Sequence, residues 1–283
     1  MPRPAPPPIA TVDDVLRRAL HEDLGEAGDL TSNALIDEDE PLTGRIVARA
    51  PGTIAGLEAG LRVFDLAGGR VDATQLVTDG ESVRAETVLA EVEGSARTIL
   101  TGERSGLNLL GHLSGIATAT RALVDAVAGT NARVADTRKT TPGLRALEKY
   151  AVRCGGGTNH RFGLGDAVMI KDNHIAASSS IADAVARARA AIGHTVVVEV
   201  EVDRLDQIGE AVKSGADVIM LDNMGPEQLR EAVEMIGGRT VTEASGSITI
   251  STVAEIAATG VDIISVGWIT HSAPRLDVAL DVL

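Results

Sequence analysis

The sequence predicts an α/β protein in which residues from about 132 onward form an α/β barrel with fewer than eight strands. Short apolar segments alternate there with helical stretches, and their continuous Val/Ile runs are typical of parallel strands buried on both faces. Each segment also ends in a polar residue, as barrel strands do. A doubly wound sheet is the alternative, but no GxGxxG motif follows the first strand. The strand ends are Asp136, Lys171, Glu201, Asp222, Ser245 and Gly267, spaced 21 to 35 residues apart.

The sequence before the barrel predicts an antiparallel sheet, with helices before and after it along the chain. Its short alternating segments are separated by Pro-Gly, Gly-Gly and Asp-Gly turns. Thr11 is a suitable N-cap for the first helix, and Gly111-His112 indicates a break between two later helices. In order, we expect a disordered proline-rich lead-in at 1–10, a helix at 11–22, strands between 44 and 93 with a helix at 57–66, and two helices within 96–128. The barrel helices are expected at 143–153, 180–191, 204–214, 225–236 and 251–258.

The composition excludes several classes of function. The 283 residues carry a net charge of −14 and include only four aromatic side chains. Such a chain lacks the basic surface and the stacking groups of nucleic-acid-binding proteins. It also lacks the run of about 20 apolar residues that spans a bilayer. A single cysteine cannot form an intramolecular disulfide, and no apolar signal segment begins the chain, so we expect a cytoplasmic protein without a membrane partner.

The charge is distributed unevenly, because one region of this acidic chain is basic. Residues 133–171 contain eight cations and three acids, which leaves +5 in this region and −19 in the remainder. Three of the four lysines lie there, although arginine is the usual cation elsewhere. A local basic region favours a compact anionic ligand over a long polyanion. We expect Arg145, Lys149 and Arg153 to lie on the solvated face of a helix and the other cations to contact the ligand.

Five of the strand ends carry charged groups or groups suited to phosphate, and in a barrel they meet at one edge. Arginine and lysine bind carboxylates and phosphates, whereas carboxylates bind sugar hydroxyls or hydrated Mg²⁺. A Ser-Gly-Ser turn offers backbone N–H groups to a phosphate, assisted by the helix that follows. The cations are Arg138, Lys139, Arg161 and Lys171, the carboxylates are Glu201 and Asp222, and the turn is Ser245, Gly246 and Ser247. Together they predict a ligand with carboxylates, sugar hydroxyls and phosphates.

Other residues leave two interpretations open. His160 and His271 either contact the ligand or have a structural role, whereas His174 is expected to support its neighbours. Cys154 has no base in the sequence positioned to activate it, so a nucleophilic role is disfavoured. Arg104 lies in a largely apolar helix, where it is either exposed or reaches an anion elsewhere, for example across a subunit interface.

These residues lie in long motifs that resemble the quinolinate phosphoribosyltransferase family. The motifs are ADTRKTTPGLRALEKYAV, GGGTNHRFGLGDAVMIKDNH, EVEVD, MLDNM and SVGWITHS, with HEDLGEAGDLTS near the start. The resemblance implies an enzyme of NAD biosynthesis that uses Mg²⁺ to join quinolinate to phosphoribosyl pyrophosphate. The products would be nicotinate mononucleotide, pyrophosphate and CO₂. It also implies a homodimer or a higher homo-oligomer.

The resemblance implies two domains. An open-faced α/β sandwich would occupy residues 11–112 after the lead-in at 1–10. An incomplete α/β barrel of about six or seven strands would occupy residues 113–270. A tail at 271–283 would return to the N-terminal domain.

The resemblance also implies a role for each site residue. Lys139, Lys171, Glu201 and Asp222 would be catalytic, and the two carboxylates would also hold the metal. Substrate contacts would come from Arg104 of the neighbouring subunit and from Thr137, Arg138, Lys139, His160, Arg161, Lys171, Glu201, Asp222, Ser245, Gly246, Ser247, Val266, Gly267, Trp268 and His271.

Two positions depart from the family pattern. Residues 243–247 read EASGS where the family usually has ESSGG, and Trp268 replaces a small residue beside the phosphate pocket.

The chemistry implied needs no covalent enzyme intermediate. Pyrophosphate would leave through an oxocarbenium-like transition state, with lysine and metal neutralising the developing charge. Lys171 is therefore interpreted as an electrostatic group.

Three alternatives stay open: a nicotinate-type phosphoribosyltransferase, which needs cations for one carboxylate only, a barrel aldolase with a Schiff base on Lys171, and a non-catalytic phosphosugar-binding protein.

Overall fold

A computed structural model describes residues 4–38 and 40–283. The chain forms two compact units: the first contains the residues up to Arg121 together with 140–156 and 269–283, and the second contains 122–139 and 157–268. The lead-in predicted at 1–10 lies partly outside the described residues. The domain boundaries predicted at 112 and 270 stay predictions, while the segment 140–156 packs with the first unit.

The helices and strands follow one another through both units. In chain order they are α1 (Ile9–Leu24), α2 (Leu30–Leu35), β1 (Pro41–Ala48), β2 (Gly52–Thr53), α3 (Leu57–Leu66), β3 (Val71–Gln75), β4 (Ser82–Val83), β5 (Thr87–Ser95), α4 (Ala96–Ala126), β6 (Arg133–Ala135), α5 (Arg145–Cys154) and β7 (Ala167–Ile170). There follow α6 (Asp172–Ala176), α7 (Ile181–Ala191), β8 (Val197–Val202), a 3₁₀ turn (Leu205–Gln207), α8 (Ile208–Lys213), β9 (Val218–Asp222), α9 (Pro226–Ile236), β10 (Val241–Ser245), α10 (Val253–Ala257), β11 (Ile263–Ser265), α11 (Trp268–His271) and β12 (Val278–Val282).

The first unit is built on a four-stranded antiparallel sheet in the order β12-β1-β5-β3, with a separate pair β2-β4. Helix α1 buries Val12, Val15, Leu16 and Leu20, which recur at helical spacing and form one apolar face. The predicted amphipathic helix is therefore confirmed. It begins at Ile9 after Pro8, however, so Thr11 lies inside the helix and is not its N-cap.

The predicted break at Gly111-His112 is wrong, because α4 is one continuous helix of 31 residues. Its glycines allow other backbone segments to approach closely. A Cβ atom on Gly111 would lie 2.8 Å from the carbonyl oxygen of Leu276, and one on Gly115 would lie 2.1 Å from that of Pro274. The glycine that the sequence suggested as a helix breaker is therefore a packing position.

The second unit contains a six-stranded sheet in the order β6-β11-β10-β9-β8-β7, and every pairing in it is parallel. Val198 and Val200 on β8 and Ile219 and Leu221 on β9 are fully buried, as expected for strands covered by helices. The prediction of an α/β protein with an incomplete barrel and a separate antiparallel region is confirmed, and the barrel sheet has six strands.

One of the cations expected on a solvated helix face is instead buried. Lys149 on α5 is 3% exposed and its neighbour Glu148 is fully buried. Glu148 accepts hydrogen bonds from His112 Nε2 (2.8 Å) and from the backbone N–H of Thr141 (3.1 Å).

Among the described residues, no helix has both the length and the apolar character needed to cross a membrane.

Candidate active site

The predicted site residues of the second unit lie along one edge of its sheet. Because all six strands are parallel, their carboxyl ends share that edge. Asp222 and Ser245 are the last residues of β9 and β10, Glu201 is the penultimate residue of β8, and Lys171 directly follows β7. Lys171, the two carboxylates and the Ser-Gly-Ser turn therefore belong to one edge, as predicted from the sequence, and Arg138 and Lys139 follow the end of β6. Arg161 lies in the loop before β7, within electrostatic range of Arg138.

Asp136 anchors the loop that carries His160 and Arg161. It directly follows β6 and is fully buried. Its carboxylate accepts hydrogen bonds from the backbone N–H of His160 (2.9 Å) and from the side-chain amide of Asn159 (2.6 Å). A buried carboxylate needs such donors and in turn fixes the backbone that supplies them. From the sequence, Asp136 is recognisable only as a strand end, because its partners lie more than 20 residues further along the chain.

Arg161 and Arg138 place two positive charges in a partly desolvated region. Burial lowers the pKa of Arg161, and so does the positive charge of Arg138, while the negative charge of Glu199 opposes the shift. The Arg161 guanidinium donates to the carbonyl of Ala167 (3.0 Å) and contacts Met169 Sδ (3.6 Å). Like charges in such a region favour an anionic partner, and a planar guanidinium matches a carboxylate.

The segments after β6 and β11 are each fixed by a hydrogen bond from a backbone N–H. The backbone N–H of Lys139 donates to Thr137 Oγ1 (3.0 Å), which closes a turn and leaves the Lys139 side chain exposed. Val266 is 2% exposed, and its N–H donates to the carbonyl of Ala135 (2.9 Å). Any contact of Val266 with a ligand would therefore use its backbone, as would that of the neighbouring Gly267.

Lys171 and Glu201 form an ion pair across the neighbouring strands β7 and β8. The backbone N–H of Lys171 donates to His174 Nδ1 (3.0 Å) at the start of α6. His174 therefore supports the position of Lys171, in agreement with the supporting role expected for it. The pair joins a cation predicted to bind the substrate to a carboxylate predicted to bind the metal.

Glu201 and Asp222 project from the same face of the sheet. Glu201 is in register with Met220 on β9, and Asp222 lies two residues further along that strand. The Asp222 carboxylate accepts a hydrogen bond from the side-chain amide of Asn223 (2.7 Å). Two partly exposed carboxylates fit Mg²⁺, which commonly takes one or two protein oxygens and completes its coordination with phosphate and water.

The Ser245–Ser247 turn contains two consecutive residues in the left-handed region. Gly246 (φ 102°) and Ser247 (φ 49°) both have positive φ, and a Cβ atom on Gly246 would lie 2.1 Å from Asn223 Oδ1. The Trp268 indole N–H donates to the carbonyl of Ile248 (3.0 Å), which secures the end of the turn. The following helix begins only at Val253, later than the predicted 251, so any phosphate contacts fall to the turn.

A buried cluster consists of His160, Glu199 and Glu243. The two glutamates lie two residues before Glu201 and Ser245 on their strands, deeper in the unit than the strand ends. Their ligand atoms lie within 4.8 Å of one another. His160 Nε2 is 3.1 Å from Glu199 Oε2 and 3.6 Å from Glu243 Oε1. Burial and the negative charge of Glu199 raise the pKa of Glu243 to about 7, although His160 and Ser265 oppose the shift.

Both glutamates of this cluster are absent from the predicted site residues, although the sequence contains a signal for them. In the strand segment VEVEV, Glu199 and Glu201 are two residues apart, so they must point to the same face. The same spacing relates Glu243 to Ser245. This spacing marks both glutamates as sharing a face with the strand ends, but it does not show their contact with His160.

Arg104 and His271 belong to the first unit. The Arg104 side chain is 64% exposed on α4, and its guanidinium lies 3.6 Å from the carboxylate of Glu103. Although neighbouring residues of a helix point in different directions, these two side chains are long enough to meet. His271 is exposed, and its Nδ1 pairs with Ser272 Oγ (2.6 Å).

An incomplete α/β barrel with cations, paired carboxylates and a tight backbone turn along one sheet edge defines an enzyme of the phosphoribosyltransferase class. Two family models match this chain. The model described as the quinolinate phosphoribosyl transferase N-terminal domain matches residues 29–114, and that of the C-terminal domain matches residues 116–281. The chain therefore belongs to the quinolinate phosphoribosyltransferase family.

Known proteins agree with this assignment. A nicotinate-nucleotide pyrophosphorylase (carboxylating) from Mycobacterium leprae is 47% identical over 95% of this chain and 96% of its own length. A probable enzyme of the same name from Bacillus subtilis is also 47% identical, over 92% of this chain and 90% of its own. The solved nicotinate-nucleotide pyrophosphorylase from Francisella tularensis superposes with a TM-score of 0.94 at 40% identity, covering 98% of each chain.

Proposed function

We propose that this protein transfers the phosphoribosyl group of phosphoribosyl pyrophosphate to quinolinate and removes one carboxylate as CO₂, which gives nicotinate mononucleotide and pyrophosphate for NAD biosynthesis. Family membership and the names of its relatives support the reaction. The observation that carries the proposal is the arrangement of four cations on a sheet edge that also holds two carboxylates and a tight turn. This edge matches an acceptor with two carboxylates and a donor with sugar hydroxyls and phosphates.

In this proposal the cations bind and orient the acceptor. Arg138 and Arg161 grip the two carboxylates of quinolinate, so that its ring nitrogen faces the anomeric carbon of the donor. Thr137, Lys139 and His160 border the same half of the site. The partial desolvation of Arg161 strengthens its attraction for a carboxylate, because less water competes for the charge.

The carboxylates and the turn bind the donor. Glu201 and Asp222 accept hydrogen bonds from the ribose hydroxyls, and the N–H groups of Ser245–Ser247 and Gly267 receive the 5-phosphate. Trp268 holds the end of this turn through Ile248. We propose Mg²⁺ as the cofactor, held at Glu201 and Asp222, where it would offset negative charge on the pyrophosphate.

The charges of the site residues and of the pyridine ring then account for the bond changes. The bond between the anomeric carbon and pyrophosphate breaks as the ring nitrogen forms its bond to that carbon. Lys139 and Lys171 stabilise the departing negative charge. The alkylated ring is cationic, so it accepts the electron pair left when the adjacent carboxylate departs as CO₂, and that ring carbon then takes up a proton. The ion pair with Glu201 supports an electrostatic role for Lys171 over a Schiff base.

The proposal includes a homodimer or higher homo-oligomer in which Arg104 enters the site of the neighbouring subunit. The exposure of its guanidinium supports this, because its only intramolecular ion pair among the described residues is the 3.6 Å contact with Glu103. His271 is proposed to border the phosphate end of the site. A cytoplasmic location is also part of this proposal.

The test is incubation of the purified protein with phosphoribosyl pyrophosphate, Mg²⁺ and either quinolinate or nicotinate, followed by measurement of nicotinate mononucleotide. We expect product from quinolinate only. Product from nicotinate only would retain the donor half of the proposal and reject the dicarboxylate half. Absence of product from both, with the donor bound, would reject the proposed reaction.

A further inference from the structure

The buried cluster of His160, Glu199 and Glu243 has no part in the chemistry described above apart from His160. Both glutamates are almost completely buried, at 3% and 2% exposed. Burying two carboxyl groups costs free energy of folding unless hydrogen-bond donors or positive charges interact with them. One oxygen of each, Glu199 Oε1 and Glu243 Oε1, has no hydrogen-bond partner among the described residues. The arrangement therefore needs an explanation beyond packing.

The hydrogen bond on the other side of the imidazole identifies the tautomer of His160. The backbone N–H of Arg161 donates to His160 Nδ1 (2.7 Å), so Nδ1 carries a lone pair. The ring hydrogen is therefore on Nε2. From there it is donated to Glu199 Oε2 at 3.1 Å, with Glu243 Oε1 at 3.6 Å. In the opposite tautomer, an Nε2 lone pair would face two carboxyl oxygens and the Arg161 N–H would lose its acceptor.

The same hydrogen bond argues against a metal ion in this cluster. A neutral imidazole that binds a metal through Nε2 must carry its hydrogen on Nδ1. Here Nδ1 faces the N–H of Arg161 and cannot also hold a hydrogen. Although one nitrogen and two oxygens lie close enough to surround an ion, the ring is arranged to donate a hydrogen bond.

We propose that Glu199, with Glu243 behind it, is a positioning residue for the acceptor half of the site. Glu199 accepts the hydrogen on Nε2 of His160 while the Glu243 carboxyl lies 3.6 Å from the same nitrogen, and Nδ1 of that tautomer holds the backbone of Arg161. Asp136 holds the backbone of His160 from the other side. Glu199 also supplies the negative charge that favours the Arg161 guanidinium. This inference rests on the proposed function for the identity of the acceptor, quinolinate.

The test combines histidine spectroscopy with kinetics. In protein labelled with nitrogen-15 at its six histidines, the signals of His160 are assigned by their absence from a His160→Asn variant. The wild type should give the shifts of an Nε2–H tautomer. Glu199→Leu, which has a similar volume and no acceptor, should give mixed tautomers. It should also raise KM for quinolinate about tenfold, as expected for loss of a hydrogen bond to a charged group, with KM for phosphoribosyl pyrophosphate nearly unchanged.

Further variants separate positioning from stability. Glu199→Gln keeps an acceptor oxygen and should restore the wild-type tautomer and most of the affinity for quinolinate. The same substitutions at Glu148, which accepts a hydrogen bond from His112 in the first unit, form the matched control. They should lower Tm without changing KM for quinolinate. If Glu199→Leu does not fold, Glu199→Asp replaces it, because its shorter side chain withdraws the acceptor.

The proposal is overturned if the Glu199 variant keeps the wild-type tautomer and KM for quinolinate. It is also overturned if both KM values rise together with a fall in Tm, since that result describes a structural residue. The tautomer is measured without substrates. An Nε2–H signal in a protein that makes no nicotinate mononucleotide would therefore reject the proposed reaction and retain the positioning geometry.

Discussion

The ammonium group of Lys171, directly after β7, forms an ion pair with the carboxylate of Glu201 on the neighbouring strand β8. This contact joins the two halves of the proposed site, since Lys171 is assigned to the acceptor and leaving group and Glu201 to the ribose and metal. A ligand that binds to either residue therefore alters the charge environment of the other. Such coupling fits an enzyme that must assemble two anionic substrates before reaction.

Replacement of Lys171 should reduce turnover without unfolding the protein. Lys171→Ala removes a positive charge near the departing pyrophosphate, and we expect kcat to fall by about 10²–10³-fold. The exposed Lys213 at the end of α8 provides the matched control, and Lys213→Ala should behave as wild type. Steady-state kinetics and circular dichroism measure both effects. Near-normal turnover of Lys171→Ala would contradict the site assignment.

The stability of the protein should depend on pH through Glu243. Burial and the Glu199 charge raise its pKa from 4.5 to about 7. The folded state thus holds a proton that the unfolded state releases, and the stability this contributes is fully present below pH 4.5 and lost as pH rises through about 7. Relative to Glu243→Gln, the wild type should lose roughly 2–3 kcal/mol of unfolding free energy between pH 5 and pH 8. Urea unfolding of both proteins across this range measures the difference, and parallel curves would argue against it.

Trp268 should contribute to donor binding through the turn that it supports. Trp268→Phe keeps most of the packing but removes the hydrogen bond to the carbonyl of Ile248. Loss of a bond of about 1 kcal/mol should raise KM for phosphoribosyl pyrophosphate roughly fivefold. KM for quinolinate should stay within about twofold under the same conditions. An effect confined to quinolinate would place Trp268 in the other half of the site.

Arg104 should act across a subunit interface. Arg104→Ala and Lys171→Ala should each be nearly inactive alone. If the variants exchange subunits, half of the dimers combine both, and one of their two sites has an intact Arg104 and an intact Lys171. The mixture should therefore recover roughly a quarter of the wild-type activity. A mixture that stays inactive after confirmed subunit exchange would assign Arg104 to the site of its own chain.

Much of the barrel could be predicted because its signals are local. Valine and isoleucine runs mark the buried strands, and a polar residue at each strand end marks the edge where the site lies. Lys171, Glu201 and Asp222 were predicted to meet for this reason alone. The helix at 57–66 was also predicted with its observed bounds, since turn residues precede and follow it.

The errors arose where a distant segment decides the local structure. Gly111 was interpreted as a helix break, but its missing side chain admits the backbone of Leu276. Lys149 was expected on a solvated face and is buried within the first unit. The partners of Asp136 and of Glu199 come from a loop that follows another helix. Neither their burial nor their charge environment is visible from spacing along one strand.

The central claim is most directly tested by measuring CO₂ released from quinolinate that carries its label in the carboxyl group next to the ring nitrogen. We predict one CO₂ for each nicotinate mononucleotide formed, and release only when phosphoribosyl pyrophosphate is present. Consumption of the donor without release of labelled CO₂, or formation of the mononucleotide from nicotinate alone, would contradict the account.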